Sequence, residues 1–483
     1  MDNTAPSGGS RAATLDASRT LTLAATSLGF VVVQLDVTIV NVALQRIGEN
    51  IGGGVASLQW VVDAYTLAFA SLILTAGALG DRLGAKRIFI AGFVVFTTAS
   101  VICGLAPNLA ALIMGRVLQG LGAATLVPCS LALLNNTFRD HQARAKAVAI
   151  WAGGASVALA LGPLVGGVLI NTVGWRSIFF INIPLGIAGI VLTWKYTTES
   201  QRSKARGLDL PGQIAVAVAL ASLAAAAIES GRLGPGSAFV IGAATVFVIA
   251  AAAFILTEAH SPSPMLPLRL FRDSSFSAAL LTGLLINIAY YGMIFLFSLF
   301  FQQGKAYSPL RTGVAFLPMT AGVLAANLFA GHLTARSGPR VPMLAGLGLF
   351  GLGCWLLVLA TPETSYLWLF GPFLLSGVGV GLVVPPMTAT ILGAVEPSLS
   401  GVASGALNAT RQAGSVIGVA LFGALIAGKG QLAHGTHLSM SISTGLLSLA
   451  LAAVTLYVRR QGSVKDHPAA NPSRRTSPED ACS

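Results

Sequence analysis

The amino-acid sequence predicts an all-α polytopic membrane protein with fourteen transmembrane helices. Of its 483 residues, 54% are hydrophobic and only 10% are charged, and the mean hydropathy is +0.77. A single soluble core cannot bury so much apolar surface. Apolar runs of about 20 residues, the length that crosses a hydrocarbon layer of roughly 30 Å, recur along the whole chain.

The predicted helices follow these apolar runs between short polar segments. In chain order their spans are 20–44, 57–79, 88–105, 109–134, 146–171, 177–196, 211–229, 237–257, 276–302, 312–333, 341–360, 365–390, 401–427 and 438–458. Residues 1–18 form a polar tail. The first apolar run is too long for a secretory signal and lacks its small-residue cleavage pattern, so we expect it to remain as helix 1.

The loop charges predict the orientation in the membrane. The formal net charge is +12, and 21 of the 29 Lys and Arg residues fall in the tails and in alternate loops such as 82–87 and 139–146, against six in the intervening loops. This asymmetry predicts that both termini are cytoplasmic and that the protein lies in the cell membrane. It explains the basic composition without a nucleic-acid partner, and we expect none.

An internal repeat divides the sequence. Residues 77–87 (GALGDRLGAKR), at the end of helix 2, and 331–340 (GHLTARSGPR), at the end of helix 10, share Gly, Leu, Arg and Gly at an offset of 254 residues. We therefore predict two six-helix bundles, 19–197 and 272–459, a linker at 198–271 that adds two helices, and a C-terminal tail at 460–483. Repeated bundles with a site between them near the bilayer midplane are typical of secondary transporters.

Patterns that would indicate other functions are weak. Residues 423–430 resemble a phosphate-binding loop but lack its final Ser or Thr, and 346–351 match GxGxxG inside an apolar helix. We interpret both as close-packing glycines. His434 and His437 alone do not make a metal site, and we expect neither a metal nor a cofactor. No catalytic constellation indicates an enzyme.

Four charged residues lie inside predicted helices: Asp36, Asp63, Arg116 and Arg411. Each costs roughly 2.5–3.5 kcal/mol at the bilayer centre, so a functional role is expected. At about 1.5 Å per residue, the first three fall at similar depth in the outer half of the first bundle, and Arg411 falls near the midplane. Each acid has two interpretations: a buried ion pair with Arg116 that specifies packing, or a proton and substrate site.

Two polar stripes are expected to line a cavity. Helical spacing places one group of polar residues along one face of helix 13 and a second group along one face of helix 1. The members of the first stripe are Ser404, Asn408, Arg411 and Ser415, and those of the second are Gln34, Thr38 and Asn41. Asp36 points away from the second stripe, so we expect its role to be partly structural. Asp63, which shares a face with Thr66, is better placed to meet a proton and a substrate.

Helix 5 carries a seam of small residues that lets a neighbouring helix approach closely. The seam contains Gly154, Gly162, Pro163, Gly166 and Gly167. Packing alone explains this pattern, and a hinge that slides between conformations would use the same face.

Several of these segments together resemble the fourteen-helix drug:proton antiporters of the major facilitator superfamily. In chain order they are 35–44 (LDVTIVNVAL), 60–65 (WVVDAY), 77–87, 116–122 (RVLQGLG), 162–167 (GPLVGG) and 408–412 (NATRQ). The resemblance implies a major facilitator fold, with two six-helix bundles and two central helices. It also implies that Asp36, Asp63 and Arg116 couple proton and substrate.

The resemblance further implies that the loop after helix 2 takes part in gating. The residues concerned are Gly77, Asp81, Arg82 and Gly84. The chain departs from the family pattern at Ala85, Ala158 and Ala335. Because Ala335 replaces the aspartate of the second-half loop, Asp81 is the only acid of the two repeated loops, and gating should be asymmetric.

The function that the resemblance implies is proton-coupled efflux of hydrophobic, drug-like compounds by alternating access, with cationic compounds an open option. We expect a monomer whose partners are a small-molecule substrate, protons and the lipid bilayer. One alternative is a dedicated exporter of one endogenous metabolite, such as a self-made antibiotic. From another class, a membrane receptor or scaffold without transport activity remains an alternative.

Overall fold

A computed structural model describes residues 8–200, 209–261, 264, 266–396, 399–427 and 431–458. Within these ranges the chain is helical, without strands, and fourteen helical segments are long and apolar enough to cross a membrane. The predicted fold class is therefore confirmed. Most helices extend a few residues beyond their predicted spans. The exception is α1, which begins at Gly8, so residues 8–18 of the predicted polar tail are helical.

The first seven helices form one bundle. They are α1 (Gly8–Ile51), α2 (Val55–Leu83), α3 (Ala85–Leu105), α4 (Leu109–Thr137), α5 (His141–Thr172), α6 (Ser177–Phe180) and α7 (Asn182–Tyr196). The short α6 and α7 together make the sixth membrane span. Inside the bundle α1 packs on α5, α4 and α7, while α4 packs on α2 and α3.

The second bundle follows two additional helices. The additional helices are α8 (Leu210–Leu233) and α9 (Ala238–His260), and the second bundle comprises α10 (Ser274–Leu299), α11 (Pro309–Ala315), α12 (Leu317–Ser337), α13 (Arg340–Leu357), α14 (Tyr366–Gly393), α15 (Ser400–Ile426) and α16 (Leu432–Tyr457). A 3-10 turn, Leu268–Arg272, precedes α10, and a π-helical turn, Phe300–Gly304, continues it. The helices α11 and α12 form the tenth span, and α15 is the thirteenth.

Local sequence signals set several helix ends. Asn108, Asp140 and Asp273 each precede a helix and accept a hydrogen bond from the backbone three residues on, at 2.8–2.9 Å. Such caps satisfy backbone N–H groups that lack an intrahelical partner. Gly84 separates α2 from α3 with a φ of 106°, a conformation that side chains with a Cβ rarely adopt. The turn between α2 and α3 therefore needs a glycine.

The helices differ sharply in how many of their residues are buried. In the most apolar stretch of the α10 span 94% of the residues are buried, whereas in that of α9 only 11% are buried. We infer that α10 lies at the centre of the protein and that α9 faces lipid. The pair α8 and α9 pack on each other, and α8 also contacts α2 and α15.

The two bundles meet mainly where α2 contacts α15 on one side and α5 contacts α11 and α12 on the other, with smaller contacts of α1 with α10 and α11 between them. The α2–α15 and α5–α11/α12 contacts are equivalent under the internal repeat, because α2 corresponds to the α11–α12 span and α5 corresponds to α15.

Below, the end of the protein that carries residues 82–87 is called the basic end, and the opposite end is called the far end.

The seam on α5 brings α1 unusually close. A Cβ atom at Gly162 would lie 1.9 Å from the Thr38 Oγ1 atom, and one at Gly166 would lie 2.8 Å from the Ile39 Cγ1 atom. At Gly154 the nearest atom, Val31 Cγ2, is at an ordinary 3.5 Å. The two deeper glycines are therefore needed for the observed packing.

Gly162→Val should destabilise the protein, because overpacking of a tight contact costs about 1–3 kcal/mol. Gly153→Val is the matched control: it introduces the same side chain on the same helix, where an added Cβ has no atom within 4 Å. The measurement is the melting temperature of both purified variants. Equal melting temperatures would contradict the packing account.

Candidate functional site

A cavity of about 910 Å³ lies between the two bundles. It is within the usual size range of sites for drug-sized ligands. Its middle is lined by polar side chains from both bundles, namely Gln34, Asn287, Tyr290, Tyr291, Asn408 and Arg411. It extends to the basic end, where Asp81 and Asp209 line it. An aromatic pair from the first bundle, Phe30 and Trp151, adds a stacked surface with ring centroids 4.2 Å apart.

The far end is closed by direct contacts between the bundles. The Ser298 hydroxyl donates a hydrogen bond to the Asn41 carbonyl oxygen at 2.5 Å. On the other side, the Gln59 amide donates to the carbonyl oxygens of Val419 and Ala420, at 2.9 and 2.7 Å. Over the residues that the structure describes, the cavity therefore connects to the basic end and is closed at the far end.

Asp36 and Arg116 form a buried ion pair inside the first bundle. Arg116 Nη1 donates to Asp36 Oδ2 and, at 2.9 Å, to Gln119 Oε1. Arg116 Nε donates to the Val61 carbonyl oxygen at 3.0 Å, and its guanidinium lies 4.3 Å from the centre of the Tyr65 ring. Both charged side chains are at most 1% exposed. The guanidinium is thus compensated by an opposite charge and by hydrogen bonds.

The other oxygen of Asp36 is also satisfied. Asp36 Oδ1 accepts hydrogen bonds from the side-chain amides of Gln119, at 3.2 Å, and Asn182, at 3.1 Å. The Ser100 hydroxyl accepts from the same two amides, at 2.8 and 3.3 Å. This cluster joins α1, α3, α4 and α7, and it does not line the cavity. Of the two interpretations left open for Asp36, its geometry matches the ion pair with Arg116.

Asp63 has a different environment. Its side chain is completely buried, neither carboxyl oxygen makes a hydrogen bond of ordinary geometry with the described residues, and the nearby side-chain donor is the Thr66 hydroxyl. The hydroxyl of the neighbouring Thr66 is placed to donate to the backbone carbonyls of Val62 and Asp63, at 3.3 and 3.2 Å. Arg116 is committed to Asp36, so Asp63 is the acid without a compensating cation.

The register of α2 against α15 identifies the surroundings of Asp63. The helices are antiparallel: Gln59 bonds to the backbone of 419 and 420, and further along, Leu74 touches Gly405. Interpolation between these contacts places Asp63 opposite residues 415–416, on the same face as Gln59 one turn away. Asp63 therefore faces the contact between the two bundles.

Two more buried polar groups lie at this level of α15. Gln412 and Ser415 are 7% and 1% exposed, and Gln412 Oε1 and Ser415 Oγ have no hydrogen-bond partner in the described part of the chain. Both lie on the α15 face that carries Val419: Ser415 is one turn from Val419 and Gln412 is two turns from it. The contact between α2 and α15 thus contains the Asp63 carboxyl group and two side-chain oxygen atoms, from Gln412 and Ser415, that can accept a hydrogen bond from it.

The predicted stripes line the cavity only in part. Ser404, Asn408 and Arg411 lie on its wall, as does Gln34. Thr38, Asn41 and Ser415 do not, which corrects the prediction for these three. Thr38 packs on α5, where its hydroxyl lies 3.3 Å from the Leu159 carbonyl oxygen, and the Asn41 amide donates to Val37 at 3.0 Å. The physical reason is depth: the closed far end seals the outer part of each stripe.

The loop after α2 is held by an acid that sequence reasoning missed. Glu199 accepts a hydrogen bond from the Lys86 backbone N–H at 2.8 Å and lies 3.9 Å from Arg87. It sits at the start of α3, where the helix dipole favours a negative charge. An added Cβ at Gly84 would lie only 2.6 Å from the Glu199 carboxyl carbon. The only sequence signal was an acid next to the basic segment around residue 202.

The remaining predicted gating and seam residues are dispersed. Gly77 and Asp81 line the cavity, whereas Arg82 is exposed at the basic end.

The α5 seam also meets the second bundle near the far end. A Cβ at Gly167 would lie 2.7 Å from the Pro309 carbonyl oxygen, and a Cβ at Gly313 would lie 2.3 Å from the Pro163 carbonyl oxygen. The α5 seam therefore contacts both α1 and the second bundle.

Two helical bundles with a cavity between them that connects to one end define a polytopic membrane transporter. The sequence pattern of the Major Facilitator Superfamily matches residues 26–419 and 315–477. The chain belongs to this superfamily of membrane transporters.

Individual relatives agree with the assignment. The chain is 40% identical to the multidrug resistance protein Stp of Mycobacterium tuberculosis, over 86% of this chain and 77% of Stp. It is 37% identical to the methylenomycin A resistance protein of Streptomyces coelicolor, over 92% of both chains. Among solved structures, the human organic anion transporter MFSD10 (TETRAN) superposes with a TM-score of 0.63 at 16% identity, covering 90% of this chain and 99% of MFSD10, which shows a shared fold.

Asp36→Asn should destabilise the protein by about 3–5 kcal/mol, because it leaves Arg116 as a buried charge without its partner. Glu49→Gln is the matched control on the same helix: Glu49 pairs with Arg46, but their side chains are 47% and 54% exposed, and such pairs contribute about 0–1 kcal/mol. Thermal unfolding of both variants in detergent measures the difference. A loss no larger for Asp36→Asn than for Glu49→Gln would contradict the account.

Proposed function

We propose that the protein exports hydrophobic, drug-like compounds across the cell membrane in exchange for protons, by alternating access. The observation that carries this proposal is the position of Asp63, a buried carboxyl without a partner at the contact that closes the far end. The supporting observations are the cavity between the bundles and the membership of the superfamily. The relative Stp, which bears the name of a multidrug resistance protein, favours drug-like substrates.

The basic end is proposed to be cytoplasmic. It carries the cationic loops 82–87 and 139–146, as the positive-inside rule requires. With this orientation both termini are cytoplasmic, and the state described above is the inward-facing one. A substrate would enter the cavity from the cytoplasm, past Asp81 and Asp209.

Alternating access is proposed to occur within one chain. The two bundles, 19–197 and 272–459, would rock against each other, with residues 198–271 as the linker and its two helices packed alongside. Both walls of the cavity come from this single chain, which supports a monomer as the transport unit. The proton gradient would supply the energy, without a cofactor.

Asp63 is proposed to carry the proton. An ionised carboxylate between α2 and α15 would be desolvated without a compensating charge, which is very costly. The neutral acid avoids this cost and, by register, can donate a hydrogen bond to Gln412 or Ser415. The far end would therefore close only after Asp63 has taken up a proton from outside. Release of this proton into the cavity, and so to the cytoplasm, would then favour reopening of the far end with the substrate bound.

Asp36 and Arg116 are proposed to act indirectly. Their ion pair fixes the positions of α1 and α4, and Arg116 also holds α2 through the Val61 carbonyl oxygen and the Tyr65 ring. Since Tyr65 and Asp63 lie on the same helix, this ion pair sets the position of the proposed proton carrier. The loop residues Gly77, Asp81, Arg82 and Gly84 would adjust the cytoplasmic opening.

A second candidate is a dedicated exporter of one antibiotic made by the same cell. The observation that favours it is the similarity to the methylenomycin A resistance protein, whose name refers to a single compound. Both candidates use the same cavity and the same proton carrier, and they differ only in substrate range.

Asp63→Asn should abolish proton-driven transport, because an amide can neither release nor take up the proton. Uptake of a panel of labelled antibiotics and dyes is measured in everted membrane vesicles with an imposed proton gradient. Wild-type vesicles should accumulate at least one compound, and a protonophore should prevent this accumulation.

Glu49→Gln is the control for this experiment. Glu49 lies on α1 near the far end, pairs with Arg46 and is itself 47% exposed, so the change removes an acid without altering a buried contact. This variant should transport normally. Accumulation by wild type that persists after collapse of the gradient would contradict proton coupling, and normal accumulation by Asp63→Asn would remove Asp63 from it.

A further inference from the structure

Arg411 is the charged group in the middle of the cavity. It lies nine residues into the 25-residue span Val402–Ile426, about 14 Å from its cytoplasmic end. Its side chain is partly exposed, lines the cavity and interacts electrostatically with the hydroxyl groups of Tyr290 and Tyr291. An arginine at this depth is costly unless it meets an anion or water, so its position on the cavity wall indicates a role in binding.

No carboxylate of the described residues pairs with Arg411. The two acids of the transmembrane core do not pair with it: Asp36 is bound to Arg116, and Asp63 does not line the cavity and forms no ion pair with Arg411, although the register places it only about 7 Å away along the helix axis. The acids on the wall are Asp81 and Asp209, at its cytoplasmic end. By the register of α2 and α15, Asp81 is about 20 Å along the helix axis from Arg411.

The field in the middle of the cavity is therefore positive. At physiological ionic strength charges in water are screened over about 8 Å, so Asp81 cannot neutralise Arg411 across a hydrated cavity. A cationic compound would meet a positive charge without a paired carboxylate in the middle of the cavity. The open option of cationic substrates thus loses its physical support.

We propose that the substrates carry a carboxylate or a similar planar oxyanion, which Arg411 binds. A guanidinium offers parallel N–H donors that match both oxygens of such a group. The Tyr291 hydroxyl, which is hydrogen-bonded to Arg411, would lie beside the bound oxyanion, and the ring of Tyr290 packs against that of Tyr291. An aromatic or apolar body would rest on the stacked rings of Phe30 and Trp151 on the opposite bundle. This inference specifies the substrate class of the proposed exporter and rests on that function.

Binding to the purified full-length protein tests the inference without a proton gradient. The probes are three fluorescent compounds with one ring system: anthracene carboxylate, its methyl ester and the corresponding anthracenylmethylamine. Wild type should bind the carboxylate at least tenfold more tightly than the ester or the amine. Equal affinities, or a preference for the amine, would overturn the inference whatever any variant does.

Arg411→Gln should weaken binding of the carboxylate at least tenfold and leave binding of the ester unchanged, which also shows that the variant is folded. Arg411→Lys should retain part of the preference, because a point charge replaces a bidentate donor. Arg336→Gln, which removes an exposed arginine at the end of α12, is the control and should bind all three probes as wild type does. An Arg411→Gln variant that keeps the carboxylate preference would overturn the inference.

The binding and transport results separate the two proposals. If the carboxylate binds through Arg411 but no vesicle experiment shows proton-driven transport, the export function fails and the binding site stands. If proton-driven transport is found but only cationic or neutral compounds are carried, the export function stands and the role of Arg411 is refuted.

Discussion

The antiparallel contact between α2 and α15 is the interaction on which the observed state depends. Gln59 joins it to the backbone of the second bundle at the far end, and Asp63 lies one turn deeper without a partner. The contact brings the bundles together beyond the cavity, so the cavity connects to the basic end alone. Its stability depends on the charge of one carboxyl group, because an ionised Asp63 would be desolvated there.

The chain buries its two membrane acids in opposite ways. Asp36 receives hydrogen bonds from Arg116, Gln119 and Asn182, so a charged form is compensated wherever the bundles move. Asp63 receives none from the described residues and faces an interface that must separate for the far end to open. A compensated charge can stiffen one bundle, whereas an uncompensated acid makes the contact between bundles sensitive to protonation. Arg411 represents a third case, a cation left for a ligand.

Apolar run lengths predicted all fourteen spans because a helix must cross a layer of fixed thickness. Depth along the helices also placed Asp36, Asp63 and Arg116 at one level. Of the partners of Asp36, Arg116 was one of the two interpretations from sequence, whereas Gln119 and Asn182 could not be predicted, since they reach it only through the relative rotation of three helices. Helical spacing grouped Thr38 and Asn41 with Gln34, but it could not show where the cavity ends. Glu199 was missed because it contacts Lys86 from 113 residues away.

The most direct test of the central claim is the far-end distance as a function of pH. Spin labels at Glu49→Cys, on α1, and Glu363→Cys, between α13 and α14, report this distance by pulsed electron paramagnetic resonance when the native cysteines are replaced. We expect a short distance at low pH, a second, longer distance at high pH as Asp63 ionises, and only the short distance in Asp63→Asn at either pH. A pH-dependent opening that persists in Asp63→Asn would show that Asp63 does not control closure of the far end.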